Sequence, residues 1–94
     1  MNVLVVTRSA ARVGRVCRLL AQHDPQPIVV VIPVALLEQT RDELWAVVFA
    51  DPGIPLPAEF DARDTVTVQF SRDLVSDVRE AFARVGAHGK KGPE

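Results

Sequence analysis

The chain has 94 residues, of which 48% are hydrophobic and 24% are charged, and its formal net charge is -1. This length has room for one small domain, and the composition excludes both a disordered chain and a strongly basic nucleic-acid-binding domain. No unbroken apolar run approaches the roughly 20 residues that cross a bilayer, so we expect no contact with a membrane.

The start of the chain and its cysteine content indicate where the protein is located in the cell and which thiol chemistry it can carry. Residues 1–6 are apolar, but no basic segment precedes them and Arg8 follows closely, so we expect no secretory signal and a cytoplasmic protein. Cys17 is the single cysteine, which excludes an internal disulfide and a thiol-only metal site. It lies at helical spacing with Val13 and Leu20, so we expect it to pack as a small hydrophobic side chain.

The first half of the chain predicts a strand, a helix and a second strand. Residues 2–6 are typical of a short strand, and Ser9 can cap the helix that follows. Two prolines within residues 23–27 end that helix, and the β-branched run at 28–32 predicts a central strand covered on both faces. The buried stripe of the helix is predicted from residues repeating at three and four positions: Val13, Val16, Cys17 and Leu20.

The middle of the chain combines a short helix, a strand and a long loop. Pro33 suits the first turn of a short helix that runs through Leu37 or beyond. Residues 44–50 are apolar and of strand length. Residues 51–64 are rich in proline and acids, and they predict a loop with one helical turn near residues 58–62.

The last part predicts a strand and a final helix. Residues 65–70 alternate apolar and polar side chains, which is typical of a half-exposed strand at a sheet edge. Ser71 is predicted to cap the last helix, with Asp73 near the positive end of the helix dipole, and Gly86 to end it. We therefore expect one domain over residues 1–86 and a flexible tail over 87–94.

Together these elements predict a small three-layer α/β domain of the Rossmann-like or flavodoxin-like kind. The sheet should be mainly parallel and four-stranded, with right-handed crossovers and about three helices. Ligands of such sheets bind beyond the carboxyl ends of the strands. That rule indicates three candidate ligand-binding positions, which are residues 7–9, Pro33 and residues 51–55.

The first strand and turn, with VTRSAARVGR at residues 6–15, resemble the nucleotide-binding start of short-chain dehydrogenases, whose pattern is Thr-Gly-x-x-x-Gly-x-Gly. Thr7 matches the threonine and Gly14 the last glycine, but Arg8 and Arg12 stand at the other two glycines. Those glycines let the backbone approach a pyrophosphate, so dinucleotide binding in the usual pose is not expected. The family's catalytic tyrosine is missing, because the chain has no tyrosine, which excludes an active dehydrogenase.

A second resemblance is to bacterial receiver domains, which open with a strand such as NVLVV and place an acceptor aspartate after the third strand. Asp51 stands at that position. Thr7 and Arg8 replace the acidic pair that would hold Mg²⁺ after the first strand, and a cation is a poor neighbour for a metal. The resemblance therefore implies a relative that is not phosphorylated, and neither comparison assigns the chain to a family.

The first turn leaves two interpretations open. A generic anion site could form from the free N–H groups at the start of the helix, the hydroxyls of Thr7 and Ser9, and the side chain of Arg8, with Asp51 nearby. Alternatively, Ser9 only caps the helix and Thr7 only forms the turn.

The first helix also presents a stripe of arginines. They project within about a third of the helix circumference, and residues 8–22 contain no acid. Such a stripe indicates a docking surface for phosphate or an acidic partner; alternatively it is a solvated face, or pairs with acids such as Asp51 and Glu59. Its members are Arg8, Arg12, Arg15 and Arg18.

The loop at 51–64 is a second candidate surface. Ile54, Leu56 and Phe60 stand among prolines there, which favours contact with a partner, although the same residues could cover the end of the sheet. The edge strand at 65–70 could pair with a second copy of the chain.

No arrangement of residues indicates catalysis, a metal or a cofactor. His23 and His88 have no ligand spacing between them, and no Ser-His-acid set or carboxylate pair can be argued. We therefore expect a non-enzymatic, protein-binding regulatory or accessory module that does not bind nucleic acid. The excess of Arg over Lys, nine to two, favours a GC-rich genome and suggests a phage-encoded protein. The alternative function is a phosphate- or nucleotide-binding domain that uses Thr7, Arg8, Ser9 and Asp51.

Overall fold

A computed structural model describes residues 1–89 of the chain. It contains four strands, three α-helices and one 3₁₀ helix. In chain order these are β1 (Asn2–Val6), α1 (Ala10–Ala21), β2 (Ile28–Ile32), the 3₁₀ helix (Val34–Thr40), β3 (Val47–Ala50), α2 (Ala58–Ala62), β4 (Val66–Gln69) and α3 (Leu74–Gly89).

The four strands form one parallel sheet in the order β2-β1-β3-β4. Residue 4 of β1 pairs with residue 30 of β2 on one side and residue 48 of β3 on the other. The predicted fold class is therefore confirmed: this is a small α/β domain with a Rossmann- or flavodoxin-like arrangement. The chain leaves β1 toward one edge and returns to its other side, so a topological switch point lies between β1 and β3.

Successive side chains of a strand point to opposite faces of the sheet, so the apolar strands form two cores, one on each face. Val3 and Val5 of β1 pack with α1 and α3, whereas Leu4 and Val6 pack with the 3₁₀ helix and α2. All four side chains are fully buried, because β1 is central and both of its faces are covered. The result is the predicted three-layer structure.

The prediction for the second strand is wrong in one respect. β2 lies at an edge of the sheet and its side chains are partly exposed, with Ile28 63% exposed. A β-branched run predicts strand conformation, but β1 and β3 have similar runs and take the central positions. The other edge is β4, as its half-polar pattern predicts.

The ends of the helices are set by capping side chains, and both of the predicted ends of α3 are wrong. The Ser9 side chain accepts a hydrogen bond from the Arg12 backbone N–H and caps α1, as predicted. At α3 the cap is Asp73 rather than Ser71, because Asp73 Oδ1 accepts from the Ser76 N–H at 3.1 Å. Gly86 lies within α3, which ends at Gly89.

The remaining predictions concern the stripe of α1 and the chain end. Val16 and Leu20 are fully buried, whereas Val13 and Cys17 are half-buried. The flexible tail at 87–94 stays a prediction, and its residues 90–94 lie outside the described part of the chain. Among residues 1–89, no helix is both long and apolar enough to cross a membrane.

Candidate functional site

Asp51 lies at the centre of a hydrogen-bond network at the switch point. Thr7 follows β1 and Asp51 follows β3, and adjacent parallel strands end at the same edge of a sheet. Asp51 Oδ1 accepts from the Thr7 hydroxyl at 2.7 Å and from the Arg12 guanidinium at 2.6 Å. Its Oδ2 accepts from the Arg8 backbone N–H at 2.8 Å. One carboxylate therefore joins the first turn, α1 and the end of β3.

A further pair of hydrogen bonds closes the turn itself. The Ser9 N–H donates to Thr7 Oγ1 at 3.1 Å, and the Arg12 N–H donates to Ser9 Oγ at 3.2 Å. The four residues of the predicted anion site, Thr7, Arg8, Ser9 and Asp51, do come together. However, the Thr7 hydroxyl and the Arg8 N–H donate to Asp51, and the Ser9 N–H donates within the turn, so an incoming anion would compete with the Asp51 carboxylate for these donors.

The network also changes the acidity of Asp51. Partial burial raises the pKa of this carboxyl, but hydrogen bonds from the Arg8 N–H, Thr7 and Arg12, together with the Arg12 charge, outweigh burial and hold the pKa below its ordinary value. Asp51 is therefore a carboxylate at neutral pH, held by its donors.

Arg12 points into the fold and away from the predicted arginine stripe. Besides its ion pair with Asp51, its guanidinium carbon lies 5.3 Å from the centre of the Phe70 ring, and its side chain is only 30% exposed. Phe70 in turn stacks on Phe49 with ring centroids 5.5 Å apart. The prediction that Arg12 contacts a partner is therefore not supported by its position, and the alternative of pairing with Asp51 is confirmed.

The structure also clarifies the two resemblances. Arg12, at a glycine position of the dehydrogenase pattern, brings a side chain to the turn where that family brings only backbone. Asp51 lies at the acceptor position of receiver domains, but both of its oxygens accept hydrogen bonds from the chain. Within residues 1–89 no group of three or more His, Cys, Asp or Glu side chains could hold a metal ion.

A groove lies between α1 and the start of α3. Its volume is about 440 Å³, and the apolar residues in its lining are Leu19, Leu74 and Val75. Three arginines also line it, and Asp73 is the single acid in its lining. The arginines are Arg15, Arg18 and Arg72. We call this the α1–α3 groove.

A smaller hollow of about 240 Å³ adjoins the groove and shares Leu19 and Val75 with it. Arg79 lines this hollow, as does His23. The His23 ring stacks on Phe82 with centroids 3.9 Å apart. The position of His23 is thus explained by packing.

Of the arginines that line the groove and the hollow, Arg15 and Arg18 are predicted from the sequence as a docking surface, but Arg72 and Arg79 are not. Val75 and Arg79 recur at the spacing of one face of α3, whereas Arg72 precedes the cap of that helix. Local sequence could not indicate that this end of α3 lies beside α1.

The acidic loop does not present its apolar side chains as predicted. Ile54 is 4% exposed and Phe60 is fully buried, and both belong to the core beneath the 3₁₀ helix. Leu56 is half-buried against the same core. In this fold the loop lies over the sheet and Ile54 and Phe60 cover it, which is the alternative that the sequence left open; contact of these residues with a partner stays a prediction.

Comparison of the chain with protein-family models, with curated proteins and with solved structures finds no match.

Proposed function

We propose that this domain is a non-enzymatic module that binds an acidic, partly apolar segment of a partner protein in the α1–α3 groove. The observation that carries the proposal is a single groove lined by three apolar side chains and three arginines. Leu19, Leu74 and Val75 offer apolar surface, and Val75 is 43% exposed. A segment with both apolar and acidic side chains complements the two parts of the groove.

The charge pattern supports this assignment. Four of the nine arginines form ion pairs with carboxylates in the described chain, namely Arg12, Arg41, Arg63 and Arg84. The groove arginines Arg15, Arg18 and Arg72 are in none of these pairs. Arginine binds carboxylates through a planar, bidentate fork, so three arginines that line one groove with a single acid favour an acidic partner.

The alternative function, binding of phosphate or a nucleotide at the first turn, is the weaker proposal. Asp51 already accepts from Thr7, Arg12 and the Arg8 N–H, and its negative charge would repel a second anion. The alternative function predicts that phosphate or a nucleotide at a hundred times its Kd would stabilise the fold by about 2.7 kcal/mol. A flat thermal-melting series over phosphate, nucleotides and dinucleotides contradicts it.

The main proposal is tested by titrating isotope-labelled protein with a short synthetic peptide of leucines at helical spacing and glutamates elsewhere. We expect amide shifts concentrated at Leu19, Leu74 and Val75. The double substitution Arg15→Glu with Arg18→Glu should weaken binding at least tenfold. The same peptide with lysine in place of glutamate should not bind.

A matched control is Arg41→Glu with Arg84→Glu, which makes the same charge change outside the groove. Both arginines are exposed and in surface ion pairs of small energetic value. Because Arg84 also donates to the Thr67 carbonyl, circular dichroism verifies that the control variant is folded. Equal loss of binding in test and control variants contradicts a specific groove. Absence of binding at about 1 mM acidic peptide, or turnover of a phosphate ester by the protein, also contradicts the proposal.

A further inference from the structure

The free edge of β2 has an unusual sequence. Residues 27–33 read PIVVVIP, which is the same in both chain directions and has Val30 at its centre. No strand among residues 1–89 pairs with the outer side of β2. The edge therefore presents unpaired backbone groups between two prolines.

The sheet register tells which backbone groups face outward. The Ile28 N–H donates to the Met1 carbonyl at 2.8 Å, so Ile28 directs its backbone groups toward β1. These groups alternate along a strand, so Val30 and Ile32 also face β1, whereas Val29 and Val31 direct their N–H and C=O outward. Each copy thus offers two donors and two acceptors along this edge.

This edge lacks the features that usually prevent strand pairing. It carries no charged residue, and its register with β1 runs through all five residues without a bulge. Its side chains are apolar and exposed: Ile28 is 63%, Val30 37% and Val31 40% exposed. The flanking prolines have no N–H groups, so the ladder can end at residues 27 and 33 without leaving a donor unpaired.

The opposite edge of the sheet is protected. In β4 the N–H groups of Val66 and Phe70 donate to β3 carbonyls, so Thr67 faces outward. The Thr67 carbonyl accepts from the Arg84 guanidinium at 3.1 Å. A long charged side chain therefore lies against the edge at 65–70, at which a contact between two copies is predicted from the sequence.

We propose that two copies of the chain pair antiparallel through β2, with Val30 on the twofold axis, and join two four-stranded sheets into one of eight strands. Val29 of each copy then faces Val31 of the other as a hydrogen-bonded pair, so four N–H to C=O bonds form and every outward group of Val29 and Val31 is used.

The palindrome explains why a second copy fits. Antiparallel pairing about Val30 sets Ile28 opposite Ile32 of the other copy, Val30 opposite Val30, and Pro27 opposite Pro33. Apolar side chains meet apolar side chains at each position, and no like charges face each other. A twofold axis also requires one surface to complement itself, which this sequence does.

Cysteine cross-linking tests the register. In a Cys17→Ser background, Val30→Cys places two thiols in a non-hydrogen-bonded pair, with Cα atoms about 4.5 Å apart, within reach of a disulfide. The matched control Val31→Cys places them roughly 9 Å apart, beyond the bridging limit of about 7 Å. Under a glutathione redox buffer we expect Val30→Cys to form dimers at least tenfold faster.

Sedimentation over a wide concentration range tests the dimer without cross-linking. The wild-type chain should approach twice its mass of 10.3 kDa at high concentration. Val31→Pro removes an outward N–H while leaving the ladder with β1 intact, so it should abolish dimerisation. The control Leu44→Lys changes a side chain that is 72% exposed away from the edge, and it should dimerise like the wild type. Circular dichroism verifies that each variant is folded.

A wild-type chain that stays monomeric at about 1 mM overturns the proposal. Equal rates of cross-linking for Val30→Cys and Val31→Cys also overturn the proposal, because they indicate random collision of two chains and not pairing in the proposed register. If Val31→Pro fails to fold, Val30→Lys replaces it, because two lysines at the axis would repel; a Val30→Lys dimer as strong as the wild-type dimer overturns the proposal.

Discussion

Arg12 and Asp51, 39 residues apart in sequence, form the shortest ion pair among the described residues, with 2.6 Å between guanidinium and carboxylate. Arg12 comes from the first turn of α1, and Asp51 from the residue after β3. Their contact joins α1 to the end of β3, at the edge of the sheet where α/β domains commonly bind ligands. In this chain an internal ion pair occupies that position, and the basic groove between α1 and α3 remains open.

Removing the Asp51 carboxylate should destabilise the fold. Asp51→Ala leaves the Thr7 hydroxyl, the Arg8 N–H and the Arg12 guanidinium without their shared acceptor. We expect a loss of about 1–3 kcal/mol in the free energy of unfolding, measured with urea. Asp61→Ala, at an exposed position on α2, is the control and should change little. Equal stability of the two variants would show that the network is not structural.

The same carboxylate should contribute to acid sensitivity. Its pKa is lower in the folded state than the ordinary 3.8, so its stabilising effect is complete above that value and is lost as pH falls through the lower, folded-state pKa. We expect wild type to lose more stability than Asp51→Asn between neutral pH and strong acid. Urea unfolding of both proteins over this pH range measures the two free energies of unfolding. Parallel dependence of the two free energies on pH would contradict the prediction.

Arg12 should matter more for stability than its neighbours on α1. Arg12→Ala removes the ion pair and the contact with Phe70, for which we expect a cost of about 1–2 kcal/mol. Arg15→Ala removes an exposed side chain that lines the groove and should stay within about 0.5 kcal/mol of wild type. Thermal and urea melts of both variants measure the difference, and a larger effect at Arg15 would reverse our assignment.

Phe60 should behave as a core residue although it lies in the loop at 51–64. It is fully buried with Leu4 and Val48, so Phe60→Ala should cost about 3–5 kcal/mol. Leu56→Ala removes a half-buried side chain of the same loop and should cost less. If Phe60→Ala keeps wild-type stability, Phe60 is free to contact a partner as the sequence first suggested.

Much of the local structure could be predicted because its causes are local. The Ser9 cap and the helical turn at Ala58–Ala62 depend on side chains within one turn of the chain, and both are confirmed. The alternation of Val66 and Val68 with polar neighbours likewise indicated an edge strand. At α3 the same local rules predicted Ser71 as the cap, whereas the Asp73 carboxylate accepts the hydrogen bond from the Ser76 N–H.

Tertiary structure decided which surfaces are covered. The sequence predicted the strand at β2, but not that it would be an edge, since β1 and β3 compete for the centre with similar apolar runs. It identified both Arg12 and Asp51, and it held pairing with acids such as Asp51 as an alternative to an arginine docking surface. Only the register of β1 against β3 brings them within hydrogen-bonding distance. Chain periodicity determines which face of each element is apolar, whereas long-range packing determines what that face meets.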